Sequence, residues 1–127
     1  MPFVYDTSAL LASVFSEPGG GAVVELAVEH GGFVSAANWA ECASKLAEQA
    51  YPTGRIEFEL KQFGLDVVPL SASLALQAGL LRPATKVLGL SLGDRCCLAL
   101  AASLDATVVT ADHAWAKLPG FKFQFIR

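Results

Sequence analysis

Positive charge is scarce in this chain. Lysine and arginine together number 9 against 12 aspartates and glutamates, histidine occurs twice, and the formal net charge is -3. There is no Lys/Arg block and no basic tail, which excludes nucleic-acid binding driven by broad neutralisation of phosphates. Any phosphate-directed chemistry would need positive charge from another source. Cys42, Cys96 and Cys97 are odd in number and lack a C-x-x-C pair. That pattern excludes a zinc ribbon or a complete disulfide frame and reads as small buried residues of a reducing compartment. The longest uncharged run, 67–81, contains Pro69, Ser71, Ser73, Gln77 and Gly79 and is too short and too polar to cross a bilayer. The first sixteen residues carry Asp6 and no basic segment, so no secretory signal is expected and the location is read as cytoplasmic. Repeats, linkers and low-complexity stretches are also lacking. Residues 1–127 therefore read as a single domain.

What the chain has in excess is apolar surface: 54% of its residues are hydrophobic and only 17% charged. A domain this small cannot hide all of that, so an exposed apolar patch is expected, with a homodimer or a tight protein complex to cover it. Short apolar runs alternate with helical periodicity. "PFVYD", "FVS", "DVVPL", "ATVVT" and "FKFQFI" read as strands. Helices are expected over "TSALLASVF", "AVVELAVEH", "AANWAECASKLAEQA", "GRIEFELKQFG", "SASLALQAGLLR", Ser91–Leu104 and "HAWAKL", with "EPGGG" as a break and "PATKVLGL" as a loop. This order predicts an α/β fold of three layers, α/β/α, around a central parallel sheet of four or five short strands.

In such sheets ligands bind beyond the carboxyl ends of the strands. Asp6 ends the first strand, and Asp112 lies just past "TVVT". Glu41 is early in the helix after "FVS". Asp94 is in the first turn of the helix that feeds "ATVVT", so it starts at the same edge. Asp66 and Asp105 precede strands and fall at the opposite edge. Read singly, each of the four acids has an ordinary explanation. Asp6 caps "TSALL", Glu41 completes a capping box with Asn38 or pairs with Lys45, Asp94 completes a capping box with Ser91, and Asp112 serves a turn. Read together, four acids from separate segments at one edge repel one another. A bound cation relieves that repulsion, and oxygen ligands without clustered His or Cys favour Mg²⁺ or Mn²⁺. Such an ion would supply the missing positive charge and acidify a bound water.

"VYDTSALLA" with Asp6, "AANWAEC" with Glu41, "LSLGDRCCLALA" with Asp94 and "VVTADHAWAKL" with Asp112 resemble the PIN-domain nucleases, and more closely the VapC toxins of bacterial toxin–antitoxin pairs. The resemblance runs nearly the full chain. It implies a PIN-like fold and a Mg²⁺- or Mn²⁺-dependent endoribonuclease with Asp6, Glu41, Asp94 and Asp112 as its acidic quartet. It also implies a homodimer, a cognate VapB-like antitoxin whose tail covers the active site, and a structured RNA substrate such as transfer RNA. Asp6, Asp94 and Asp112 are assigned to the metal, and Glu41 to a second ion or to the attacking water. Ser8 and Thr110 are expected to hold a carboxylate or a metal-bound water. Arg95 is a weaker candidate for phosphate contact, as are Arg82 and Lys86. Many relatives carry a basic residue after "TAD", where this chain has His113. Trp39 and Trp115 read as packing residues, and His30 as a helix cap.

Three other readings compete. A response-regulator receiver needs paired acids early and a lysine after its last strand, whereas Lys122 begins "FKFQFI". A haloacid-dehalogenase-type phosphatase needs a second Asp two residues after the first, where Ser8 stands. A catalytically inactive interaction module would keep the fold without needing all four acids.

Overall fold

The computed structural model describes residues 2–127. Five strands form one sheet: β1 (Phe3–Tyr5), β2 (Phe33–Ser35), β3 (Asp66–Val68), β4 (Thr107–Thr110) and β5 (Lys122–Phe125). Their spatial order is β3-β2-β1-β4-β5, and every neighbouring pair is parallel. The chain builds outward from β1 to β3 and then returns to place β4 on the other side of β1. The boundary between β1 and β4 is therefore the topological switch point, where the crossovers leave in opposite directions and open a crevice.

Strand periodicity divides the core into two layers. Val4 and Val108 face one side of the sheet, under α7 (Leu92–Leu104), with Leu98, Leu100 and Trp115. Tyr5 and Val109 face the other, packed with Leu10 of α1 (Thr7–Val14), Val23 of α2 (Gly20–His30), Leu46 of α3 (Ala36–Glu48) and Leu60 of α4 (Thr53–Lys61). Successive side chains of a strand point to opposite faces, so adjacent valines feed both cores. This is the expected three-layer arrangement.

The differences from the sequence reading are local. Gly20 and Gly21 lie inside α2 instead of breaking it. A Cβ on Gly20 would come within 2.3 Å of the Ala12 carbonyl, so glycine allows α1 and α2 to approach backbone to backbone. After α5 (Ala72–Leu80) the expected loop begins with a short helix, α6 (Arg82–Thr85). Pro83 sits in its first turn, where a missing N–H breaks no intrahelical bond. His113–Lys117 is a 3₁₀ helix. All three cysteines are free and buried. Among the described residues, no helix is long and apolar enough to cross a membrane.

Candidate active site

Asp6 follows β1 directly and caps α1, accepting from Ser8 N at 3.4 Å. Its side chain is 2% exposed. Two hydroxyls donate to one oxygen, Oδ2: Ser8 Oγ at 2.6 Å and Thr110 Oγ1 at 3.0 Å. The other oxygen, Oδ1, is buried and has no hydrogen-bond partner. The Asp6 carboxyl is pushed up from 3.8 to about 6: burial raises it most and the nearby charge of Asp94 adds to that, against the lowering effect of the two hydroxyls. A buried carboxylate with a bare oxygen costs stability unless something binds it.

Glu41 projects from the second turn of α3. Its Oε1 accepts from Thr7 Oγ1 at 2.6 Å and from Asn38 Nδ2 at 3.0 Å. Asn38 Nδ2 also lies 3.0 Å from Thr7 Oγ1 and 3.1 Å from the carbonyl of Gly93 at the start of α7, so its two N–H groups are shared among three oxygens. The Glu41 carboxylate lies against that start so closely that a Cβ on Gly93 would fall 2.3–2.4 Å from its three carboxyl atoms. Ser35, not Asn38, caps α3, and Lys45 pairs with Glu48.

Asp94 completes the expected capping box. Ser91 N donates to its Oδ2 at 2.8 Å, and Asp94 N donates to Ser91 Oγ at 3.1 Å. Its carboxyl is raised by partial burial first, with Glu41 and Asp112 adding repulsion. Asp112 lies past β4 and caps the 3₁₀ helix through Ala114 N. Its own N–H donates to Thr110 Oγ1, the hydroxyl that holds Asp6. Both local explanations, capping and clustering, therefore apply to Asp6, Asp94 and Asp112 at once.

Asp94 lies near enough to Asp6, Glu41 and Asp112 to be repelled by each, but the acids do not close into a cage. Among the described residues, no three His, Cys, Asp or Glu side chains are arranged as a ready-made metal-ligand set. Mg²⁺ does not need one, because it keeps several waters and is commonly held by one or two carboxylates. The all-oxygen donor set, the bare Oδ1 of Asp6 and the repulsion of Asp94 by Asp6, Glu41 and Asp112 fit a hydrated divalent cation. The field of these acids reaches inward too: burial pushes the Cys97 thiol well above its usual range, and Asp6, Asp94 and Glu41 reinforce the shift.

The remaining candidates lie further out. Arg95 Nη1 donates to the Ala78 carbonyl, so this arm of the guanidinium joins α7 to α5. Arg82 and Lys86 are exposed on and just after α6. His113 stacks on Phe125 at 4.5 Å and hydrogen-bonds the Arg127 carbonyl through Nε2. Trp115 is buried, and Trp39 packs against the core. Thr7 and Gly93 are the site residues that sequence reasoning left without a role at the acids, while Asn38 entered it only as a capping-box partner of Glu41. Asn38 carried the one available signal, a polar side chain three positions before Glu41 on the same helical face.

A family model described as PIN domain matches residues 3–120. No curated protein matches the chain in sequence. Its fold is found in several solved structures, of which three illustrate the likeness. One is the VapBC2 complex of Rickettsia felis bound to a DNA fragment from their promoter (TM-score 0.76, 19% identity, 98% of each chain covered). Another is DNA-bound VapBC of Salmonella typhimurium (TM-score 0.75, 18% identity, 100% and 99% covered). The third is a toxin–antitoxin complex of Klebsiella pneumoniae (TM-score 0.71, 21% identity, 98% and 97% covered).

Proposed function

The chain belongs to the PIN-domain family, and on that premise we propose that it is a Mg²⁺- or Mn²⁺-dependent endoribonuclease of the VapC type. In this reading residues 1–127 form a single PIN domain that acts in the cytoplasm as a homodimer. It cuts structured RNA such as transfer RNA and is silenced by a VapB-like antitoxin. The likeness in fold to chains of the Rickettsia, Salmonella and Klebsiella complexes supports the antitoxin partner.

The observation that carries the reading is the Asp6 carboxylate. It is buried at the β1–β4 switch point, with Oδ1 bare and Asp94 near enough to repel it. Asp6 and Asp94 would hold the cation, with Asp112 completing the set and Glu41 holding a second ion or orienting the attacking water. Bound there, the cation would supply Lewis acidity toward a phosphodiester and toward water. Ser8 and Thr110 keep Oδ2 occupied, which leaves Oδ1 as the oxygen without a partner. Thr7 and Asn38 hold the Glu41 carboxylate through its Oε1. Arg95, whose Nη1 is already engaged, is the first candidate for phosphate contact, and Arg82 and Lys86 are weaker ones that equally suit a solvated surface.

The test is cleavage of bulk tRNA by purified protein with Mn²⁺ or Mg²⁺, against EDTA and against Asp6→Ala. Cleavage lost in both controls is expected. Equal cleavage by Asp6→Ala would overturn the assignment. The competing reading, an inactive interaction module, draws on the lack of a three-ligand cluster among the described residues. It predicts no cleavage by the wild type under any of these conditions.

A further inference from the structure

We propose that Asn38 is a positioning residue that sets Glu41 relative to Asp6 and Asp94; this rests on the nuclease reading above. Asn38 is completely buried, 0% exposed. Its Nδ2 faces three oxygens: Thr7 Oγ1 at 3.0 Å, Glu41 Oε1 at 3.0 Å and Gly93 O at 3.1 Å. The reverse placement of the amide would set Oδ1 against all three, so the partners themselves determine its orientation. Each of them adjoins or is one of the acids. Thr7 follows Asp6, Glu41 is an acid itself, and Gly93 precedes Asp94. One amide therefore links three chain segments that each deliver a carboxylate.

The hydrogen bonds also form a closed triangle. Asn38 donates to Thr7 and to Glu41, while Thr7 donates to Glu41. Along the branch from Asn38 through the Thr7 hydroxyl to Glu41, the first bond polarises the second. Both donors converge on Oε1, which fixes the rotation of the carboxylate about its own axis.

Stability does not account for this residue. Ser35 caps α3, so Asn38 is not needed there. Its Oδ1 is buried without a partner, and an unsatisfied buried acceptor is destabilising. A leucine of similar size would avoid that penalty. The polar side chain is explained by what Nδ2 holds.

The test is a double-mutant cycle of Asn38→Leu and Glu41→Gln, read in two ways: tRNA cleavage with Mn²⁺, and urea unfolding midpoints in EDTA. Asn38→Leu is expected to lower kcat roughly 10–100-fold, the scale of a misplaced group, with KM within about twofold. The double variant should cleave no more slowly than Glu41→Gln alone, and the midpoints should be non-additive. A wild-type kcat, or a double loss equal to the product of the single losses, would overturn the proposal. Asn38→Asp, which sets an anion against Glu41, enters the same cycle if the leucine variant does not fold. If the wild type cleaves no faster than Asp6→Asn, the nuclease reading fails by itself. Additive midpoints would then still overturn the clamp, and non-additive midpoints would uphold it.

Discussion

Thr110 donates its hydroxyl to Oδ2 of Asp6 across 3.0 Å, although 104 positions separate the two residues. The contact exists because β1 and β4 are neighbours in register, Tyr5 beside Val109, so the residues that follow them meet at the strand ends. It joins the first and last acids of the cluster, since Thr110 also accepts from Asp112 N. It also leaves the Asp6 charge half satisfied, and the pH response follows from that.

The Asp6 carboxyl rises from 3.8 to about 6 on folding, so the folded state holds its proton more tightly than the unfolded chain does. Metal-free stability should therefore fall as pH rises from about 4 to about 6 and stay reduced above that. Asp6→Asn keeps an acceptor for Ser8 and Thr110 without the charge. At pH 7.5 in EDTA it should be more stable than wild type by about 1–3 kcal/mol, with the gap closing below about pH 4. Urea titrations at the two pH values check this. An asparagine variant less stable than wild type at pH 7.5 would contradict it.

Mg²⁺ or Mn²⁺ should raise the melting temperature, because a ligand of the folded state stabilises it by about 2.7 kcal/mol at a hundredfold excess over Kd. The rise should disappear in the Asp6→Asn, Asp94→Asn double variant. Thermal scans with metal and with EDTA separate the cases. A metal response that survives in the double variant places the ion elsewhere.

Gly93→Ala probes the wall between Glu41 and Asp94. The added Cβ would meet the flexible end of the Glu41 side chain, so the carboxylate is what must move. Alanine improves helix propensity by about 1 kcal/mol, which offsets part of the disturbance. Stability within about 1 kcal/mol of wild type is expected, together with a cleavage rate at least about tenfold lower. An unchanged rate would mean that the location of that carboxylate does not matter.

The sequence made the layers legible because the signals are local. Val4, Tyr5, Val108 and Val109 sit in short apolar runs, and Ser91 and Asp94 have the spacing of a capping box. Strand direction then placed Asp6, Glu41, Asp94 and Asp112 at one edge. The order of the strands was not legible, since it depends on pairings such as Phe3 with Thr107 that no window contains. Asn38 was legible as a partner of Glu41, three positions away on the same helix, and it does donate to that carboxylate. Lys45, the other local candidate, faces solvent and pairs with Glu48, while Thr7 and Gly93 were hidden because they arrive from distant segments. The short helix α6 escaped because Pro83 reads as a breaker unless it stands in a first turn.

The middle strand of the sheet is made early and its partner late. While the polypeptide emerges from the ribosome, β1 lacks its β4 neighbour, and Asp6 lacks the Thr110 hydroxyl, until more than a hundred further residues have been added. A nascent chain therefore carries its acids unassembled for most of translation. If the finished protein cuts RNA, synthesis itself delays that hazard until the carboxyl-terminal fifth has appeared.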